Sequence, residues 1–349
     1  MNDFSSRLIA WQKVHGRHDL PWQNTIDPYA IWVSEIMLQQ TQVAAVIGYY
    51  SRFMRRFPDI SALANVTQDE VLQYWSGLGY YSRARNLHNA ASIIIDTHGG
   101  KFPQDFATIQ TLPGIGRSTA AAIVSFAFNQ VQTILDGNVK RVLARHFLVE
   151  GWPSSPKTEK QLWLLAEALL PEQDMVAYTQ GLMDLGATIC TRSKPKCTTC
   201  PVQRSCQAYK LGRVKDLPTP KPRKAIPEKY TTMLILRRGD EIMLERRPST
   251  GIWGGLWSFP EVQNQENLEA WIAHRYEVTS KLGQTLPTLS HAFTHFKLHI
   301  QPQVLQVIKI QSKVSEAGQI WLSINDAISA AVPAPIRKLL MRMKNELAA

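Results

Sequence analysis

The four cysteines of this 349-residue chain fall within one short segment. They are Cys190, Cys197, Cys200 and Cys206, spaced as C-x6-C-x2-C-x5-C. Thiolates this close in sequence can ligate one centre, either a tetrahedral zinc ion or an iron–sulfur cluster. In a reducing compartment such crowding favours a metal site over a disulfide framework. The residues alone favour zinc, because one short knuckle suffices for it, and they leave both metals open. The first loop also carries Arg192, Lys194 and Lys196, a basic arch suited to phosphates.

A second candidate site lies at residues 112–142, where a glycine hairpin precedes a small apolar helix. Gly114 and Gly116 permit a tight turn and the close approach of a ligand, because neither has a Cβ. The N–H groups of such a hairpin, with the N-terminus of the next helix, attract a phosphate oxygen. Asp136 follows that helix, and a basic helix begins at Asn138. The same pattern also fits an ordinary turn followed by a helix cap, so it indicates nucleic-acid binding only together with other features.

Two further groups have side chains suited to chemistry or to base stacking. Glu35 lies in a helix predicted from about Tyr29 to Tyr50, among Trp, Ile, Met and Leu residues. We therefore expect Glu35 to be more buried than a surface glutamate. Tyr80 and Tyr81 follow the glycines of GLGYYSR, which predicts an exposed aromatic turn. Such tyrosines either pack in a core or act as a wedge or stacking platform for bases.

Hydrophobic periodicity divides the chain into two parts. Apolar spacing predicts helices over 4–15, 29–50, 51–57, 59–64, 67–75 and 83–98, with two more between 157 and 185. No convincing strand alternation occurs before residue 225. Strands are then predicted at 230–238, 241–247 and 295–307, with helices near 265–276 and at 334–347.

The composition between these parts is that of a linker. Residues 210–228 are rich in proline and lysine and contain few large apolar side chains. We therefore predict an all-α domain over 1–209 with its cysteine loop at 190–206, a basic linker over 210–228, and a smaller α+β domain over 229–349.

The charge of the chain favours a polyanionic partner. Lys and Arg number 39 against 28 acidic residues, a net charge of +11. Nucleic acid is the commonest such partner, although a basic enzyme has the same balance. The N-terminus has no secretory pattern, and no stretch approaches transmembrane length. We expect a cytoplasmic, nucleoid-associated monomer without a membrane partner.

Taken together, these motifs resemble a known family. LPGIGRSTA, LDGNVKRV, SEIMLQQTQV and the cysteine spacing are similar to the helix-hairpin-helix DNA glycosylases of the endonuclease III superfamily, and more closely to the MutY-type adenine DNA glycosylases. The resemblance covers nearly the whole length. It implies a six-helix barrel with a cluster subdomain, followed by a Nudix-like C-terminal domain. It also changes the expected metal from zinc to a structural [4Fe–4S] cluster on the four cysteines.

The resemblance implies base excision repair of double-stranded DNA, with removal of adenine mispaired with 8-oxoguanine or guanine. Adenine must leave the base stack, and by resemblance Gln39 and Tyr80 fill the gap. Glu35 is the acid that we expect to protonate the departing purine, provided that an apolar pocket raises its pKa toward about 6 or 7. Asp136 is expected to stabilise the positive charge on the sugar or to bond to its anomeric carbon. The family further suggests that Asn138 orients this site.

Ser118 departs from the wider superfamily. Glycosylases that also cut the strand use a lysine after the hairpin to form a Schiff base, and a serine hydroxyl cannot form that imine. We therefore predict a monofunctional enzyme that leaves an abasic site. One alternative is a bifunctional glycosylase/AP lyase for oxidised pyrimidines, which borohydride trapping would reveal. Another is a non-catalytic Fe–S DNA-binding mismatch sensor, against which Glu35 and Asp136 argue.

The C-terminal part resembles a Nudix fold at residues 253–262. The acidic Nudix box, which supplies carboxylates to magnesium, is missing from residues 263–278, so we expect binding rather than pyrophosphate hydrolysis. Four residues match the family's oxoguanine-reading loop, namely His291, Phe293, Thr294 and His295. Thr294 stands where serine is usual, so this contact requires room for a methyl group. We expect contact with other repair factors through the basic linker, but the sequence names none.

Overall fold

The computed structural model describes residues 3–222, 225–263, 267–311 and 318–348. It divides into two compact units. The first comprises Met1–Asn65 and Asn86–Arg223, and the second comprises Val66–Arg85 and Lys224–Ala349. The segment Val66–Arg85 thus groups with the C-terminal chain, whereas the sequence places it within residues 1–209. Residues 223–224 of the predicted linker and residues 264–266 of the segment without a Nudix box lie outside the described residues.

Every regular segment described between residues 3 and 222 is helical, as predicted. The helices are α1 (Asp3–His15), α2 (Pro28–Leu38), α3 (Val43–Arg56), α4 (Ile60–Ala64), α5 (Gln68–Trp75), α6 (Ser82–His98), α7 (Phe106–Thr111), α8 (Arg117–Phe128), α9 (Gly137–His146), α10 (Pro156–Ala168), α11 (Met175–Asp184) and α12 (Gln207–Lys210). A π-helix, Leu185–Ile189, continues α11 directly, and two short 3₁₀ turns lie in the cysteine loop. Of these helices, α5 and the start of α6 belong to the second unit.

The prediction of one helix from Tyr29 to Tyr50 is wrong. Helix α2 ends at Leu38, and α3 begins only at Val43. Gln40 between them adopts a left-handed backbone with φ of 56°. The physical reason is in the sequence: residues 39–42 read QQTQ, so no apolar side chain there holds another turn against the core.

The core of the first unit encloses α2 and α8. Helix α2 begins with Asp27 as its N-cap and Pro28 in its first turn, both of which favour helix initiation. It is buried on most of its surface and packs against α8. Three successive alanines of α8, Ala120–Ala122, are buried, and their small side chains allow close packing of helices. Consequently the one acidic residue of α2, Glu35, points away from bulk solvent.

The second unit is built on a mixed eight-stranded sheet within the described residues. Its strands are β1 (Glu228–Arg238), β2 (Glu241–Arg246), β3 (Trp257–Ser258), β4 (Glu261–Val262), β5 (Val278–Thr285), β6 (Leu289–Ala292), β7 (Lys297–Ile310) and β8 (Gln319–Ser323). The main path runs β3-β2-β1-β7-β5, while β4 pairs with β1, β6 with β7 and β8 with β2. Strands β1 and β7 are parallel, and the other pairs are antiparallel. The α+β prediction is confirmed, although only β1, β2 and β7 were predicted and the other five strands were not.

Helices cover this sheet. They are α13 (Leu268–Tyr276), α14 (Ile324–Ser329) and α15 (Ala334–Ala348). Ile272 of α13 packs in one apolar cluster with Leu236 of β1 and Leu305 of β7. Among the described helices, none combines the length and the apolar composition that a membrane span needs.

Candidate active site

Glu35 lies on the wall of the main cavity of the first unit. The cavity has an open volume of about 1240 Å³, and its walls include Gln12, His18, Trp22, Gln23, Phe126 and Gln180. Glu35 is partly exposed where it lines this cavity, and its carboxyl group makes no hydrogen bond to any described residue. Burial, and secondarily the negative charge of Asp136, raise the pKa of Glu35 to about 8. Its carboxyl group therefore favours the protonated form at pH 7.

Asp136 is fixed by the start of the next helix. It is the N-cap of α9, and its Oδ1 accepts a hydrogen bond from the N–H of Val139 at 2.7 Å. Burial raises the pKa of Asp136, while the N–H groups of Val139 and Asn138 and the charges of Arg141 and Lys140 oppose that shift. Glu35 has no such donors. The arrangement therefore distinguishes two carboxyl groups: Glu35 favours its protonated form, and Asp136 is placed to accept hydrogen bonds.

The glycine hairpin lies just before α8. Gly114 has φ of +82°, and a Cβ there would lie 2.9 Å from Cβ of Asn86, so the turn requires glycine. Gly116 is the N-cap of α8 and provides no side-chain cap, which leaves the first-turn N–H groups for an anion. Gln39 reaches this hairpin through a hydrogen bond from Nε2 to the carbonyl of Gly114 at 3.4 Å, and Nε2 also donates to Oγ1 of Thr119 in the first turn of α8 at 3.2 Å.

The side chains of Ser118 and Asn138 both make hydrogen bonds near Asp136. The Oγ of Ser118 accepts a hydrogen bond from the N–H of Leu135 at 2.9 Å. Asn138 accepts from Arg141 at 2.8 Å. A Cβ on Gly186 would lie 2.5 Å from Cβ of Asn138, so the absence of a side chain there allows the π-helix to approach α9.

The four cysteines are free thiols that line one cavity of about 410 Å³. Arg145 of α9 is 3% exposed and donates to the carbonyl of Thr191 at 2.7 Å, and its Nη1 lies 3.4 Å from Sγ of Cys190. Burial raises the pKa of Cys200 to about 12, so this thiol is protonated at neutral pH unless a metal binds it. In the described parts of the chain, no three or more Cys, His, Asp or Glu side chains converge closely enough to hold a single metal ion.

The cavity wall formed by residues 17–25 was missed from the sequence. Its fold is fixed by side-chain amides. Gln23 donates to the carbonyl of Arg17 at 3.0 Å, and Asn24 donates to the carbonyl of His18 at 2.9 Å. Gln180 of α11 was missed as well. The signal in the sequence that could have identified these residues is an amide side chain at an otherwise apolar helical position. Gln12, which is buried in α1, is an example.

The second unit brings Tyr80 together with the predicted loop residues. A pocket of about 1410 Å³ is lined by Tyr80, Trp253, His291, Phe293, Thr294 and His295, among others. Tyr80 is 42% exposed and has φ of 49°. The rings of His291 and Phe293 pack edge to face with their centroids 4.7 Å apart. The ring centroids of Trp253 and Phe293 are 5.4 Å apart. Oγ1 of Thr294 lies 3.4 Å from Nδ1 of His295, and Thr294 is exposed.

Comparison with known proteins agrees with this two-part organisation. The family model for HhH-GPD superfamily base excision DNA repair proteins matches residues 33–168, and the model for the NUDIX domain matches residues 231–342. A thermostable thymine-DNA glycosylase structure is 32% identical and covers 60% of this chain and 95% of its own, with a TM-score of 0.54. Endonuclease III in a non-covalent DNA complex is 23% identical over 61% of this chain and 98% of its own, with a TM-score of 0.50, and shows the fold alone.

Relatives of known activity align over almost the entire chain. The adenine DNA glycosylase of Buchnera aphidicola subsp. Acyrthosiphon pisum is 37% identical over 99% of this chain and 98% of its own. The adenine DNA glycosylase of Mus musculus is 34% identical over 96% of this chain and 77% of its own. The chain therefore belongs to the MutY-type adenine DNA glycosylase family, with a helix-hairpin-helix domain followed by a Nudix-like domain.

Proposed function

We propose that this enzyme removes adenine that is mispaired with 8-oxoguanine or guanine in double-stranded DNA, and that it leaves an abasic site in an intact strand. The observation that carries the proposal is the environment of Glu35. This carboxyl group faces a cavity, has a pKa of about 8 and lies within the electrostatic influence of Asp136. A protonated acid beside a second carboxyl group is the arrangement that glycosidic bond cleavage requires.

The reaction begins when adenine leaves the duplex and enters the cavity. Glu35 transfers its proton to a ring nitrogen of the purine. The glycosidic C–N bond then breaks, its electron pair leaves with the base, and the sugar becomes an oxocarbenium ion. The carboxylate of Asp136 stabilises that cation. Water adds to the anomeric carbon and gives up a proton that restores the acid form of Glu35, and the products are free adenine and an abasic site.

Ser118 supports hydrolysis without strand cleavage. A lyase step needs an amine that condenses with the sugar aldehyde. The residue after the hairpin is instead a serine, and its hydroxyl oxygen is engaged by the N–H of Leu135. We therefore assign Ser118 a positioning role on the segment that carries Asp136.

The second unit offers the residues for reading the opposite base. 8-Oxoguanine differs from guanine by an N–H at position 7 and an oxygen at position 8. The hydroxyl of Thr294 both donates and accepts, so it can pair with either group. Phe293 and Tyr80 line the same pocket with aromatic surface suited to base stacking. We propose that these residues select 8-oxoguanine.

All four cysteine thiols line one cavity, and this supports the [4Fe–4S] cluster that the family resemblance implies. Cys190, Cys197, Cys200 and Cys206 would hold the cluster, which supplies a structural cross-link when bound. Arg141 donates to the carbonyl of Cys190 at 2.8 Å and so fastens the loop to α9. The loop carries Arg192, Lys194 and Lys196, which we assign to DNA phosphates.

The test is adenine release from three duplexes, with 8-oxoguanine, guanine or thymine opposite the adenine. We expect strand breaks only after hot alkali, and fastest with 8-oxoguanine. Breaks without alkali would indicate a lyase. Tight binding without base release by cluster-loaded protein would indicate a mismatch sensor instead.

A further inference from the structure

Trp253 is a bulky residue with a strained backbone beside the pocket of the second unit. Its φ is 56°, in the left-handed region that tryptophan rarely adopts, and the residue is 7% exposed. The next residue must be glycine, because a Cβ on Gly254 would collide with the carbonyl of Ser249. Such strain persists only where the surrounding structure imposes it, and it is commonest at functional sites. The proposed function gives Trp253 no role.

Arg247, immediately after β2, fixes the turn that carries Trp253. Its Nε donates to the carbonyl of Ile252 at 3.0 Å, and its own carbonyl accepts from the N–H of Gly255 at 3.2 Å. The guanidinium lies over the indole ring, 5.7 Å from its centroid, and forms an ion pair with Glu261. The backbone of the turn and one side of the indole are therefore held by the same arginine.

The indole in turn contacts the loop that carries Thr294. The N–H of Phe293 donates to the carbonyl of Phe296 at 2.8 Å, and the two rings stack with their centroids 4.6 Å apart. Phe296 is buried, so it anchors one side of this loop. On the other side, the indole ring centroid lies 5.4 Å from that of Phe293 and 5.7 Å from that of His291. Trp253 therefore supports the half-buried ring of Phe293 from behind.

These contacts leave the indole little surface on which a base could stack. A stacking platform must expose a ring face, and Trp253 is 7% exposed. Hydrogen bonds weaken steeply when their geometry is lost, so a small displacement of Phe293 would misplace the hydroxyl of the neighbouring Thr294. A residue with this environment influences recognition through its neighbours rather than by contact with the base.

We propose that Trp253 is a positioning residue for the choice of the opposite base. It holds Phe293, and with it the hydroxyl of Thr294, at the depth where 8-oxoguanine is distinguished from guanine. The inference rests on the proposed function, because that function assigns the reading of the opposite base to Phe293 and Thr294.

The test measures the affinity of the full-length, cluster-loaded protein for two duplexes, with 8-oxoguanine or guanine opposite adenine, by fluorescence anisotropy. Every protein carries Glu35→Gln, so that adenine stays in place during the measurement. In Trp253→Leu, we expect the ratio of the two affinities to fall at least about fivefold below that of the parent protein. Trp253→Phe keeps an aromatic ring against Phe293 and should stay within about twofold of the parent. An unchanged ratio in Trp253→Leu would overturn the inference.

A double substitution shows whether Trp253 acts through Phe293. Phe293→Leu removes the ring that the indole supports. If Trp253 only positions that ring, adding Trp253→Leu to Phe293→Leu should change the affinity ratio by less than about twofold. A further fall as large as the one in the parent protein would mean that the indole contacts the base itself, and it would overturn the positioning role.

Trp271→Leu is the matched control. Trp271 packs against Tyr276 in the same unit, with ring centroids 5.8 Å apart, and it does not line the pocket. Its substitution should lower the melting temperature and leave the affinity ratio within about twofold of the parent. An equal loss of the ratio in this control would overturn the inference, because discrimination would then merely follow stability.

Circular dichroism melting checks that each variant folds. If Trp253→Leu does not fold, Trp253→Gly carries the test, because glycine adopts the left-handed backbone without strain. Excision assays on protein with Glu35 intact separate the two proposals. Protein that binds with the expected ratios but removes no adenine would refute the proposed function and retain the role of Trp253. Parent protein that binds both duplexes equally would overturn the role of Trp253, whether or not adenine is removed.

Discussion

The hydroxyl oxygen of Ser118 accepts a hydrogen bond from the backbone N–H of Leu135 at 2.9 Å, and this contact joins the start of α8 to the residue before Asp136. Leu135 is itself buried. The sequence identified Ser118 by the lysine that it replaces, whereas the structure gives it a contact of its own. The first turn of α8 and the segment that carries Asp136 are thus joined through one side chain.

Replacing Ser118 by alanine should loosen this connection. The N–H of Leu135 would lose its partner, so we expect a loss of about 1–2 kcal/mol in the free energy of unfolding and a roughly tenfold slower excision. Ser118→Thr keeps the hydroxyl and should retain most of both. The measurements are urea unfolding and single-turnover excision. Wild-type kinetics in Ser118→Ala would show that the contact does not position Asp136.

Substitutions at Asp136 should distinguish its role as a helix cap from its role in catalysis. Asp136→Asn keeps a side-chain oxygen for the N–H of Val139, so we expect near-native stability with at least about a thousandfold slower excision. Asp136→Ala should lose the cap as well, at a cost of about 1 kcal/mol. Thermal unfolding and single-turnover rates on the same samples distinguish the two effects. Substantial excision by Asp136→Asn would show that the mechanism does not need the negative charge of Asp136.

Glu35 should make the stability of the protein depend on pH. Its pKa rises from 4.5 in the unfolded chain to about 8 in the native state. Between these values the native state binds more protons, so the contribution of this group to stability falls as pH increases. Glu35→Gln lacks this penalty. We expect the advantage of the variant over wild type in the free energy of unfolding to be about 4 kcal/mol larger at pH 8.5 than at pH 5. An equal difference at both values would contradict the raised pKa.

Thr294 should control the choice of the opposite base. Thr294→Ser keeps the hydroxyl and should preserve the preference for 8-oxoguanine over guanine, whereas Thr294→Ala should reduce it about tenfold. Thr288→Ala is a control from the same unit, because Thr288 bonds to Gln301 and does not line the pocket. The readout is the ratio of excision rates on the two duplexes. A preserved ratio in Thr294→Ala would assign the discrimination to other residues.

The metal content of the purified protein tests the assignment of the cysteine cavity. Protein purified without oxygen should contain about four iron atoms per chain and no stoichiometric zinc. Cys200→Ser should reduce the iron content and lower the melting temperature, because the loop would lose its cross-link. Metal analysis that finds one zinc and no iron would support a zinc site, which the cysteine residues alone favoured.

Residue type and spacing were sufficient to identify Glu35, Asp136 and the four cysteines as candidates, because each is an unusual group in its local context. They were insufficient where a contact decides the outcome. The chain leaves the helix after Leu38 because QQTQ has nothing to bury, yet the surrounding apolar residues suggested one continuous helix. Asp184 accepts hydrogen bonds from Gln180 and from Arg17, and Arg17 is far from both in sequence. The hydrophobic periodicity of a single segment cannot reveal a contact between residues that are far apart in sequence.

The most direct test of the account is the pH dependence of single-turnover adenine excision opposite 8-oxoguanine. If protonated Glu35 is the acid, the rate should be nearly constant up to about pH 7, fall to about half near pH 8, and then approach a tenfold decrease for each further pH unit. Glu35→Gln should show almost no excision across this range while still binding the duplex. A rate that continues to rise above pH 8, or a Glu35→Gln variant with wild-type rates, would contradict the central role of this carboxyl group.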